Sequence, residues 1–134
     1  MVASIGPVTA GHRVFDVVGR STYVGPIWLW AQNDLDLATV PAARTELAGL
    51  LSGATQPPVV LVYLGAERFV DVRGLRLLVT VARQARCRGG DLAVVAPPQC
   101  LRWMVDRFCL GDELFLAPDA RSAARWARTA GGHL

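Results

Sequence analysis

"FVDVRGLRLL" (residues 69–78) reads as the end of an apolar run that turns sharply at an Asp and enters a helix. Asp71 is placed to accept hydrogen bonds from the orphan N–H groups that follow it, a cap worth about 1 kcal/mol. Gly74 suits such a turn because it permits close approach of another backbone. Arg73 is the anomaly. A cation in a first helical turn opposes the helix dipole by about 0.3–1 kcal/mol, so an offsetting anion is expected: Asp71, Asp34, Asp36 or a group supplied from outside.

Outward from this turn the chain alternates strands and helices. Before it, "PPVVLVYL" (57–64) is apolar on both faces, as a central parallel strand is. After it, "GLRLLVTVARQARCRGG" (74–90) is a helix closed by Gly89 and Gly90. Upstream, "RVFDVVG" (13–19) and the alternating "PIWLWAQ" (26–32) read as strands, the second ending in the polar turn "NDLD". "TVPAARTELAGLLSG" (39–53) is an amphipathic helix with Pro41 in its first turn, Val40, Ala43, Leu47, Leu50 and Leu51 inward, and Gly53 as its stop. Downstream come the strand "DLAVVAP" (91–97) and the helix "PQCLRWMVDRFCLG" (98–111), with Leu101, Met104, Val105 and Phe108 inward. "DELFLA" (112–117) then gives a last strand and "PDARSAARWARTAGG" (118–132) a fourth helix. Such repeats predict an α/β domain: a mostly parallel central sheet of about five strands with four helices.

The 134 residues suffice for one domain with a genuine core, with residues 1–12 expected as a disordered tail and 13–130 as the folded unit. No apolar run approaches the roughly 18 residues of a spanning helix. "MVASIGPVTAG" lacks the basic start and sustained apolar centre of a signal peptide. A cytoplasmic protein without stable membrane insertion is therefore expected. Cys87, Cys100 and Cys109 form no CxxC pair, and an odd number without a secretory signal fits free thiols in a reducing compartment. Within one straight helix Cys100 and Cys109 would stand roughly 13 Å apart, too far to bond. A pairing across elements, such as Cys87 with Cys109, stays geometrically open as a redox device.

All 14 basic residues are Arg. Residues 68–107 hold eight of them against Asp71, Asp91 and Asp106, while residues 1–67 carry a net −2. This lopsided charge favours an acidic protein surface; without an RNP-like aromatic motif, zinc-finger spacing or helix-turn-helix, nucleic acid is not the expected partner. His12 and His133 lie in the tails, and no GxSxG, Walker-type or HExxH motif is present, so neither catalytic residues, metal nor cofactor is expected. Along the helix after Asp71, Arg76, Thr80, Arg83 and Cys87 recur at spacings of three and four, opposite Leu75, Leu78, Val79 and Ala82, making one basic ridge. Trp28 and Trp30 share one side of their strand, opposite Ile27 and Leu29. If the latter pair faces the helices, the Trp pair must be covered by the N-terminal strand or by another subunit, such as the second half of a homodimer.

"NDLDLAT", "YLGAERFVDVRGLRLLVTVARQARCRGGDLAVVAPP" and "CLGDELF" together closely resemble the STAS domain of bacterial anti-sigma factor antagonists, over roughly residues 13–128. The specific part is the ungapped run from residue 63 to about 98, with its F-[IV]-D-x-x-G-L core and R-x-R-G-G turn. The resemblance implies a small cytoplasmic α/β regulator of transcription that is not an enzyme. Such a domain docks on an anti-sigma factor, often an ATP-binding serine kinase, and so releases a sigma factor. The family's switch is phosphorylation of the second Ser of a D-S-S-G-L loop. Asp71, Gly74 and Asp36 match the family's pattern, whereas the acceptor position holds Arg73 and the Ser before it is Val72. Tyr63 replaces the acidic residue that usually ends the central strand, and Cys109 a Gly before the last strand.

The resemblance therefore implies an antagonist-like protein without the serine switch, binding its partner through Asp36, Asp71, Val72, Arg73 and Gly74, to which the helical spacing adds the ridge residues Arg76, Thr80 and Arg83. Three other readings stand beside it: a STAS scaffold that assembles with other STAS proteins through Trp28 and Trp30, a small STAS subunit of a lipid or anion transporter, and redox control through Cys87 and Cys109.

Overall fold

A computed structural model describes residues 13–20 and 25–131. The proposed tail, residues 1–12, lies outside the described residues. β1 (Phe15–Arg20) and β2 (Ile27–Ala31) pair antiparallel. β3 (Val59–Tyr63), β4 (Asp91–Val95) and β5 (Phe115–Ala117) then join in parallel, so the strand order in space is the order in the chain. The helices α1 (Val40–Ser52), α2 (Val72–Cys87), α3 (Gln99–Arg107) and α4 (Ala120–Gly131) complete the α/β fold. No helix among the described residues is long and apolar enough to cross a membrane.

Alternation along the strands divides the core in two. Ile27, Leu29, Val60, Val62, Leu92 and Val94 face α1, α2 and α3, whose Leu47, Leu78 and Leu101 are almost wholly buried against them. Val59, Leu61, Ala93 and Val95 face the other way, onto Ala123 and Ala127 of α4. With apolar side chains on both faces, β3 and β4 are buried throughout their centres, as parallel strands beneath helices on both sides must be.

Three expectations are corrected. The final strand is three residues long: Glu113 and Leu114 donate their N–H groups to the Leu110 carbonyl in a turn, which leaves only Phe115–Ala117 to pair with β4. Phe108 does not face inward but is half exposed, because α3 ends at Arg107 and the chain turns away there. The Trp face is not covered by the N-terminal strand, which extends the sheet edgewise beside β2. Instead α4 crosses β3, β4 and β5, and Trp28 is half-buried against that cluster together with Trp126. Trp30 stays 47% exposed and stacks on Tyr63, with ring centroids 4.5 Å apart. An aromatic platform thus stands at the C-terminal ends of β2 and β3.

Candidate functional site

The start of α2 is fixed by a second stretch of chain. Leu35 forms an isolated parallel bridge with Val70. Its N–H donates to the Phe69 carbonyl at 2.9 Å, and its carbonyl accepts from Asp71 N–H at 3.0 Å. Asp34 adds a stitch, with Oδ1 accepting from Phe69 N–H at 2.9 Å. The loop before α1 and the loop before α2 are therefore joined into one surface. Gly74 makes this approach possible: a Cβ there would lie 2.4 Å from the Leu35 carbonyl oxygen, a backbone atom that cannot swing aside. Val70 N–H also meets Cys100 Sγ at 3.5 Å, tying the start of α3 to the same turn.

Asp71 is the N-cap of α2, its Oδ1 accepting from Gly74 N–H at 2.9 Å in extended backbone. Asp36 performs a related task at α1, where its Oδ1 accepts from the N–H groups of Ala38 and Thr39. With Asp34 and Asp36 engaged by backbone, Asp71 is the anion beside Arg73, and the contact is loose at 3.9 Å. The Arg73 side chain is 58% exposed. A guanidinium so placed retains most of its capacity to pair with another carboxylate.

Around this cation the two loops expose Leu37, Phe69 and Val72. Sequence reasoning placed Val72 in the surface but missed Leu37 and Phe69. A signal was available for Leu37, which adjoins Asp36 and falls outside the period of the helix that follows, whereas Phe69 sits in an apolar run and carries none. From Val72 an open groove of about 370 Å³ runs along α2, with Leu75 and Val79 in its base and Phe108 and Leu110 on its far side. Arg76, Thr80 and Arg83 form its near lip and are exposed, as the periodicity predicted. Phe108 and Leu110 are the residues the sequence reading did not assign to a site.

The ridge is not uniformly available. Arg83 Nε donates to Glu113 Oε1 at 2.9 Å, and Arg86 joins Glu113 to Asp91, with its Nη1 2.9 Å from Asp91 Oδ1. The Arg83 hydrogen bond and charge hold the Glu113 carboxyl below its ordinary range, Arg86 adding to the effect. Arg76 has no carboxylate within 4.0 Å among the described residues. Cys87 and Cys109 are exposed free thiols and Cys100 is half-buried. No group of three His, Cys, Asp or Glu side chains that could hold a metal occurs among the described residues.

The chain is a five-stranded α/β domain with an apolar, cation-edged surface at the start of one helix. The chain matches the family model described as "Mlab, STAS domain" over residues 27–117, more than half its length, and it belongs to the STAS domain family. In structure it is similar to the anti-sigma factor antagonist SpoIIAA in its unphosphorylated form, with TM-score 0.62 and 17% identity over 84% of this chain and 95% of that one. The phosphorylated form of SpoIIAA, a Bacillus cell fate determinant, matches with TM-score 0.57 and 17% identity over 84% and 98% of the two chains. The NMR structure of TM1081 matches with TM-score 0.59 and 14% identity over 84% and 95%. Sequence comparison with curated proteins gives no match.

Proposed function

We propose that this chain is an anti-sigma factor antagonist-like regulator that binds an anti-sigma factor, of the serine kinase type, and so releases a sigma factor in the cytoplasm. It would do so without the family's serine phospho-switch. The observation that carries this reading is the turn itself: Asp71 caps α2 and Leu35 bridges Val70, yet residues 69–78 contain no hydroxyl and present Arg73 instead. A phosphate dianion suits a helix N-terminus and alters docking through its charge. Arg73 offers a permanent charge of opposite sign. The partner surface is then constitutively available, with Arg73 pairing to an acidic residue of the partner.

Affinity capture of the tagged protein from its own cell lysate, beside an Arg73→Ser variant, tests the reading. Recovery of an anti-sigma kinase by the native chain is expected, with no phosphate transferred to residues 69–78. Recovery of that kinase by the Ser variant alone would overturn it. The exposed Trp30 and the family match to an Mlab STAS domain favour a second reading: a STAS subunit assembling with other STAS proteins or with a transporter. Capture of those proteins, lost on Trp30→Ala, is its expected signature.

A further inference from the structure

The groove along α2 carries a more specific partner than the loop does. Its base is apolar, with Leu75 and Val79 almost fully buried by their own fold and Val72 and Phe108 standing half exposed at its sides. Its near lip is cationic. Arg76 and Arg83 lie seven residues apart on one helix, so their Cα atoms are separated along the axis by about 10 Å, nearly two turns. The exposed Thr80 stands between them. A long trough with helical periodicity on one wall and apolar groups within is the complement of an amphipathic helix presenting anchors at i, i+3, i+4 and i+7.

Charge decides which helix fits. Residues 68–107 carry eight Arg against three Asp; Arg76 lacks an ion-pair partner among the described residues, and Arg83, its side chain 62% exposed, meets Glu113 through Nε alone, which leaves its two Nη groups to a second carboxylate. A second copy docking by the same face would set Arg76 and Arg83 against themselves, since a two-fold contact pairs a patch with its own copy. A phosphate backbone would satisfy the two guanidiniums but leave the apolar base unmatched. We propose that the groove between α2 and the segment Phe108–Leu110 receives an amphipathic helix from a partner protein, with acidic residues two turns apart set against Arg76 and Arg83. This rests on the reading of the chain as a partner-binding STAS domain and specifies the chemistry of that partner.

The test uses the full chain and two fluorescein-labelled helical peptides of identical Leu pattern, one with Glu and one with Lys at the two flanking positions, followed by anisotropy. The Glu peptide is expected to bind at least tenfold more tightly than the Lys peptide. Arg76→Glu should remove or reverse that preference, and Val72→Asp should weaken both peptides. Arg76 and Val72 are exposed, and matching thermal transitions of the variants confirm that the fold persists. Equal behaviour of the two peptides, including no binding by either, overturns the proposal, as does a preference unchanged by Arg76→Glu. Self-association of the native chain that Val72→Asp abolishes would assign the groove to a second copy and also overturn it. Capture of an anti-sigma partner alongside indifferent peptides would retain the proposed function while removing the acidic helix; a peptide preference without such capture does the reverse.

Discussion

Cys109 occupies a backbone position where a side chain is a liability. Its φ is 55°, in the left-handed region. It follows the C-cap Phe108 of α3, where Leu110 N–H returns to the Val105 carbonyl at 2.8 Å and Cys109 N–H to Asp106 at 3.2 Å. This is the Schellman closure that normally places Gly at the left-handed position. Gly89 does so at the end of α2, with φ 85° and the corresponding bonds to Ala85 and Arg86. The Gly that the resemblance leads one to expect at position 109 thus has a physical reason, and its replacement carries a conformational cost of about 1 kcal/mol. Cys109→Gly is expected to stabilise the chain by up to that amount in urea unfolding. A destabilised variant would mean that the thiol makes a compensating contact.

The elements divide into those with a local signature and those set by distant partners. α1 and α2 were legible because apolar residues recur at helical spacing up to a Gly stop, behind Pro41 in the first turn of α1 and the Asp71 cap of α2, and β3 because it is apolar on both faces. Asp71, Gly74 and the ridge were legible for the same reason. What the pattern did not contain is which apolar residues the chain leaves uncovered: Phe69 and Phe108 look like core in one dimension. Nor did it show that the alanine stripe of α4 lies on the second face of the sheet. The contact between α2 and the turn before β5 was equally hidden, since Arg83 and Glu113 are 30 residues apart. That contact is testable by pH. Glu113 is held ionised below its ordinary range, so its contribution is fully present above the unfolded-state pKa and is lost as pH falls through the folded-state value. The unfolding midpoints of the native chain and Glu113→Gln should differ at neutral pH and converge in acid. The difference should be small and should shrink with salt, because the pair is exposed. A gap that persists at pH 3 would assign the effect to packing.

At the scale of the molecule, the two faces of the sheet carry different chemistry. One bears α1, α2 and α3 with most of the arginines; the other bears α4 and, beyond its cover, the Trp30–Tyr63 platform. A net charge of +3 understates this asymmetry, since the segment 68–107 is strongly positive and residues 1–67 are negative. Such a field acts on an approaching acidic partner before contact and raises the association rate more than the lifetime of the complex. Exposed charges lose their reach beyond about 10 Å at 0.1 M salt. For the Glu peptide or a captured acidic partner, salt should therefore slow association steeply and change dissociation little, as read by stopped-flow mixing. Arg107→Glu, exposed at the end of α3 and outside the lining of the groove, should reproduce part of that slowing without shortening the complex's lifetime. If salt acts entirely on dissociation, and Arg107→Glu has no effect on association, the arginines act only as local contacts and the lopsided charge of the chain has no part in finding its partner.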